Sequence, residues 1–294
     1  IRTRHPLEVI VFANEEGGLY GSRALSGELP ARELENASHS GLTVREGIRR
    51  IGGDPDRLAE VRRAPGDLAA FLELHIEQGG VLERENTDIG VVQGIVGIGW
   101  WDVTWEGMAN HAGTTPMDQR HDALLAAARL VQATNDVARS TPGRHVATVG
   151  RIRAEPGAPN VIPGRVVHSL EIRDLEEDTM RMLFERIRAE AERIATESGT
   201  RVSFQELNWI RPAPADPRVQ AAVVGAAEAL GLSHRPLPSG AGHDAQSMAR
   251  LAPAGMIFVP SVGGISHSPR ELTRPHDVVN GANVLLNAVL RLDG

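Results

Sequence analysis

The chain has 294 residues, a net charge of −7, and apolar and charged fractions of 41% and 23%, which suits one large domain or two moderate ones around a well-buried core. No basic block offsets the acidic balance, so nucleic acid and an anionic membrane surface are excluded as partners. Cysteine and lysine are both absent, and with them go thiol nucleophiles, disulfides, thiolate metal sites, Schiff-base chemistry and a Walker-type phosphate lysine.

In chain order, residues 7–13 form a short apolar, β-branched run that predicts a buried strand. Residues 22–25 predict a short helix or turn, and 42–52 a helix stopped by Gly52 and Gly53. The stretch 66–78 begins as helix or loop and ends strand-like in "FLELHIE"; "DIGVVQGIVG" predicts a further strand. From residue 97 the pattern changes. "IGWWDVTWEG" alternates as a half-exposed strand does. Residues 118–139 predict a helix with Leu124, Leu125, Ala128 and Val131 on its apolar face. Strands are predicted at 146–153 and 165–173. A long amphipathic helix at 176–198 carries Met180, Leu183, Ile187, Ala191 and Ile194 on one side, and a strand at 202–207 follows.

That order, β-α-β-β-α-β, is the ferredoxin-like arrangement, and it ends at the Pro-rich "RPAPADP". Asp216 and Pro217 then read as the N-cap and first-turn residue of another helix. "GMIFVP" predicts a strand and 278–291 a last helix. The fold class expected is α/β. A catalytic α/β domain with a mixed sheet, from 1–96 and 209–294, is interrupted by an inserted α+β domain at 97–208. No apolar run approaches the ~20 residues that span a bilayer. No signal peptide is visible, so the expected compartment is the cytoplasm. The chain opens with Ile1 almost directly in a strand-like run, and an upstream segment is expected.

Glu15 and Glu16 stand side by side where the first predicted strand ends. Each raises the cost of ionising the other, so water or a cation must offset the repulsion. His75 in "ELHIEQGG", His243 and Asp244 in "GAGHDA", and His267 in "GGISHSP" also lie beside glycines at predicted strand ends. Taken one at a time, these are a solvated loop, a core histidine and a surface histidine. Taken together they supply imidazole and carboxylate donors of the kind a catalytic divalent ion uses, at the strand ends where open α/β sheets place their sites. In that reading Glu16 binds metal and Glu15 takes a proton from water.

The segments "NEEGG…GSRALSG", "ELHIEQG", "NHAGTTPM", "PNVIPG", "EIRD", "GAGHDA" and "GGISHSP" occur in this order over nearly the whole chain. In them the chain resembles the zinc-dependent N-carbamoyl-L-amino-acid hydrolases and the allantoate amidohydrolases, within the clan of dinuclear aminoacylases and carboxypeptidases. The resemblance implies Glu15 as general base, Glu16 and His267 as ligands of one metal ion, and His75 as a ligand of the other. It implies that 97–208 is a lid that also dimerises, and that His111 polarises the scissile carbonyl. Asn160 and Arg173 would hold the substrate carboxylate, and Gln78 and His243 would line the substrate pocket. An arginine fork suits a carboxylate, with two parallel N–H bonds to two oxygens.

The cofactors implied are two divalent ions (Zn, Mn, Co or Ni) in the complete protein. The partners implied are a small ureido substrate and a second copy of the chain. The family's upstream H-x-D histidine and bridging aspartate have no counterpart after residue 1. The chain is therefore expected to be part of a protein of roughly 400 residues, to hold one ion or none alone, and to be inactive as it stands. Hydrolysis of N-carbamoyl-L-amino acids to amino acid, ammonia and carbon dioxide is the expected activity. Allantoate hydrolysis is the nearest alternative, and a dimerising or binding homologue that has lost its metals is the alternative outside catalysis.

Overall fold

Apolar runs bounded by Gly, Pro and Asp set most elements of the computed structural model, which describes residues 2–37 and 40–294. The chain divides into two compact units, 1–95 with 213–294, and 96–212. In chain order the first unit contributes α1 (Tyr20–Leu25), α2 (Val44–Arg50), β1 (Phe71–Ile76), α3 (Val81–Glu85) and β2 (Ile89–Ile95). The second contributes β3 (Gly97–Glu106), β4 (Asn110–His111), α4 (Ala123–Ser140), β5 (Val146–Thr148), β6 (Ile152–Glu155), β7 (Val161–Ile162), β8 (Arg165–Asp174), α5 (Glu177–Ser198) and β9 (Arg201–Ile210). The first unit resumes with β10 (Ala213–Pro214), α6 (Pro217–Ala229), β11 (His234–Ser239), α7 (Asp244–Met248), β12 (Ala254–Val259) and α8 (Pro275–Leu292). No helix of the described residues is long and apolar enough to cross a membrane.

The first unit is built on a mixed sheet. β1 and β12 run parallel, β12 and β2 antiparallel, and β2 and β11 parallel. Every residue of β12 is buried, as its unbroken apolar sequence requires of a strand covered on both faces. On one face α6 and α8 bring Ala222, Val223, Ala226, Val284 and Ala288 against Ile89, Val91, Ile257 and Val259. On the other, Leu82 and Ala245 pack with Val92, Leu237, Met256 and Phe258. Asp216 caps α6 as expected, its carboxylate accepting the Arg218 N–H at 2.8 Å.

The second unit is an antiparallel sheet with α4 and α5 on one face. β8 pairs with β5 and β6 on one side and with β3 on the other, and β3 pairs with β9. Strict alternation on β3 and β8 sends Trp101, Val103, Trp105, Val166, Leu170 and Ile172 into a core with Met180, Leu183, Ile187, Ala191 and Ile194. The five α5 residues expected on the buried side are all buried.

Three expectations fail. Residues 7–13 form no strand: no ladder bond is made there, and Val9 and Val11 are 93% and 94% exposed. β propensity does not make a strand without a hydrogen-bonding neighbour. The second failure concerns the helix expected from 118. It begins at Ala123, capped by Asp122, whose Oδ1 accepts from Leu124 and Leu125 N–H. Its buried face is Ala123, Ala126, Ala127, Leu130, Thr134 and Val137, whereas Leu124, Leu125 and Val131 are exposed. The helix carries two apolar stripes, and the alanine stripe allows the closer approach to the sheet. Third, the strand expected at 146–153 is split into β5 and β6, because the Ser169 hydroxyl accepts the Gly150 and Arg151 N–H groups in place of a ladder partner.

Candidate metal centre

Period-two geometry on β1 turns Leu72, Leu74 and Ile76 toward the α6–α8 side and leaves Glu73 and His75 together on the opposite face. Facing them is the N-terminus of α7, where His243 is the N-cap residue. The His75 and His243 rings lie 4.4 Å apart, and His243 Nδ1 is 3.8 Å from Glu73 Oε1. Glu73 is anchored by the Ala245 N–H at 2.8 Å. Donor atoms of Glu73, His75 and His243 all lie within 4.8 Å of one another.

Hydrogen bonds fix which ring nitrogens are available. His75 Nδ1 lies 2.8 Å from the Ile76 carbonyl and must donate to it, which leaves the Nε2 lone pair. The Ser239 hydroxyl donates to the Ala241 carbonyl and so accepts from His243 Nε2 at 2.7 Å. That leaves the His243 Nδ1 lone pair buried and without a hydrogen-bond partner. Asp244 Oδ1 is orphaned in the same way.

The loop that carries His267 is held against the end of β1. Gly264 adopts φ +64°, and a Cβ there would stand 2.7 Å from Gly80 N, so only glycine permits this backbone approach. Glu83 accepts the Gly263 N–H at 2.6 Å and pairs with Arg274. His267 itself has φ 52°, and its N–H bonds Glu271 at 3.0 Å. Its Nε2 is 3.3 Å from Glu16 Oε2. Asn14 and Gln78 are also left-handed, so strained backbone flanks the cluster at three points. Gln78 N–H donates to the Ser261 hydroxyl at 3.1 Å.

The electrostatics follow from crowding carboxylates out of water. Burial pushes Glu15 up, and the charges of Glu16 and Asp244 add to this against the pull of His75 and His267. Burial pushes Glu73 up to about 7, and burial with the neighbouring His75 charge pushes His243 down to about 3. Asp244 is raised by burial against a hydrogen bond from Ser22. Two orphaned acceptors, the His75 and His243 imidazoles and several carboxylates with raised proton affinity fit a divalent cation.

Of the residues singled out in the sequence, this unit brings together Glu15, Glu16, His75, His243 and His267. Glu73 was missed. Its signal was the two-residue spacing to His75, which places both on one face of a strand. In the second unit, His111 on β4 pairs with Val161, and the Ala112 N–H donates to the Asn160 carbonyl at 2.9 Å, so these two residues are neighbours. His111 Nδ1 accepts the Gly113 N–H at 3.0 Å, so the neutral ring carries its proton on Nε2. Arg173 on β8 forks onto Glu171, Nε to Oε1 at 2.9 Å and Nη2 to Oε2 at 3.1 Å. The Trp100 indole N–H also donates to Glu171. Burial raises the Glu171 carboxyl, but the bonds from Arg173 and Trp100 outweigh it and hold the group below its usual range.

Residues 1–291 match peptidase family M20/M25/M40. The chain is 42% identical to an N-carbamoyl-L-amino acid amidohydrolase of Geobacillus stearothermophilus, over 99% of this chain and 72% of that protein. It is 36% identical to an allantoate amidohydrolase of Bacillus subtilis, over 97% and 70% respectively. Among solved structures, an amidase of the hydantoinase/carbamoylase family from Burkholderia multivorans superposes with a TM-score of 0.89 at 37% identity. That match spans 100% of this chain and 72% of the other.

Proposed function

We propose that this chain, which belongs to peptidase family M20/M25/M40, hydrolyses the linear ureido C–N bond of N-carbamoyl-L-amino acids. The observation that carries the reading is the gathering of Glu15, a desolvated carboxylate, with Glu16, His75 and His267, beside the donor group Glu73, His75 and His243. Glu73, His75 and His243 would hold one divalent ion, and Glu16 and His267 would serve a second. The resemblance assigned His243 to the substrate pocket, but its orphaned Nδ1 supports a ligand role better. When bound, the ion supplies Lewis-acid activation of water and of the ureido carbonyl.

The other steps belong to side chains. Glu15 accepts a proton from the attacking water and returns it to the leaving nitrogen, a task suited to a carboxylate of raised proton affinity. His111, with its proton on Nε2, is a neutral donor for the carbonyl oxygen as negative charge develops there. Asn160 and Arg173 take the ligand's carboxylate, and Gln78 contacts its ureido end. Water's attack forms one C–O bond and breaks one C–N bond, leaving a carbamic acid; its breakdown cleaves the second C–N bond, so the products are the amino acid, carbon dioxide and ammonia. The same reading carries a homodimer through residues 97–208, which act as a lid; light scattering on the purified protein tests the dimer.

The test is ammonia release from a panel of N-carbamoyl-L-amino acids and from allantoate, with and without a chelator. Turnover that the chelator abolishes, and that Glu15→Gln abolishes without loss of substrate binding, supports the proposal. Metal-replete protein that releases no ammonia from any of them refutes it. Allantoate is kept as the second reading because a 36%-identical relative is named for it, and faster turnover of allantoate would favour that reading. A metal-free binding homologue would show no bound divalent ion by elemental analysis.

A further inference from the structure

Arginines on the second unit mostly meet carboxylates, as Arg151 meets Asp102 and Arg201 meets Glu106. Arg120 does not; it forms no ion pair among the described residues. Its Nη2 donates to the Ala112 carbonyl at 2.6 Å and to the Thr115 carbonyl at 3.0 Å, and its Nε donates to Thr115 at 3.1 Å. These two carbonyls bracket the turn that follows His111. The turn is tied back to His111 as well: the Thr115 hydroxyl and N–H donate to the His111 carbonyl at 2.7 and 3.2 Å. The Gly113 N–H within the same turn is the group that holds His111 Nδ1. The planar guanidinium holds the Nε and Nη2 bonds to Thr115 in a fixed fork while Nη2 also reaches Ala112; an ammonium is one nitrogen on a flexible stem and lacks that fork.

We propose that Arg120 is a positioning residue: it clamps the 112–115 turn so that Gly113 fixes the ring of His111, and with it the direction of the Nε2–H. This rests on His111 being the carbonyl-polarising donor proposed above. Arg120 touches no reacting atom, so its loss should lower kcat and leave KM close to its original value.

The experiment is a double-mutant cycle in the metal-replete protein, with kcat and KM measured for His111→Ala, Arg120→Ala and the double variant, and for Arg120→Lys. Arg120→Ala should lower kcat about a hundredfold, the scale of an ångström-sized misplacement. Arg120→Lys should restore little of it, and added ethylguanidinium should restore part of it in Arg120→Ala. The double variant should be no slower than His111→Ala alone. Multiplying losses in the double variant, or an Arg120→Ala enzyme within about twofold of wild type, overturns the inference and leaves the His111 reading standing. An unimpaired His111→Ala enzyme overturns both. Should Arg120→Ala fail to fold, Arg120→Lys decides, because a lysine that restores kcat contradicts a clamp that depends on the guanidinium fork.

Discussion

His168 on β8 is fully buried, with the Trp105 indole N–H donating to its Nε2 at 3.2 Å and its own Nδ1 donating to the Ser169 carbonyl at 3.1 Å. Both ring positions are therefore committed to the neutral form, since a proton on Nε2 would face the indole N–H. Burial pushes the imidazole below its ordinary value, against the opposing pull of the Ser169 carbonyl and the Asp102 charge. The unfolded chain titrates near 6.5. Above that pH neither state is protonated, and this residue adds no pH dependence. Below it the unfolded state binds a proton that the native state refuses, so stability falls as pH drops toward the depressed native value.

For one proton the loss cannot exceed about 1.4 kcal/mol per pH unit, which bounds it at about 1.4 kcal/mol between pH 7.5 and 5.5. All four tryptophans lie in the second unit, so tryptophan fluorescence during urea unfolding reads that unit directly. His168→Gln cannot titrate, and its stability should fall less over this window than that of the wild type, by no more than that bound. Equal pH slopes in the two proteins would refute the assignment of a neutral, locked ring. His168→Leu at pH 7.5 should cost about 1–3 kcal/mol, because it strands the indole N–H.

Three further outcomes follow from the site. Gly264→Ala must push a Cβ into the Gly80 backbone at positive φ, so turnover should fall at least tenfold while the second unit's fluorescence transition stays put. Glu171→Gln removes the carboxylate that orients Arg173, and KM for a carboxylate-bearing ligand should rise roughly two- to fivefold with a smaller change in kcat. Zinc added to chelator-stripped protein should raise the thermal midpoint, and His243→Ala should remove part of that rise; an undiminished shift would place the ion elsewhere.

Long, strongly periodic segments were legible in the sequence. The α5 stripe from Met180 to Ile194 and the alternation of β3 each specify a face, and those faces are the buried ones. The α4 face was not legible, because alanines carry little hydrophobic signal. Which of two apolar stripes is buried depends on how near the helix can come to the sheet, and that is settled outside the helix. Residues 7–13 show the converse limit: they carry strand composition, but pairing is a property of a neighbour and cannot be read from the run itself. In the site, glycine-flanked histidines and the Glu15–Glu16 pair announced themselves by charge where charge is costly. Glu73 stayed hidden because one acidic residue in an apolar strand looks the same whether it faces solvent or a buried imidazole. Arg173 was singled out as a site residue, but its Glu171 partner two residues back on the same strand was not, and neither was the Trp100 anchor of Glu171, which comes from the facing strand.

Ile95 pairs with Ala213 in the first unit, and Ile98 pairs with Ile210 in the second, so the excursion from 96 to 212 leaves and returns at adjacent points. Joining β1 to β12 requires closing the chain between Ile76 and Val259, a long loop while the intervening residues are disordered. Once 96–212 has folded and brought its own ends together, the loop left to close is much shorter, which reduces the closure cost by about 1 kcal/mol. A nascent or refolding chain in which the inserted segment condenses first would thus assemble its parallel strands faster. Lesions in that segment would then slow formation of the half that carries Glu73, His75 and His243 without touching any residue of it.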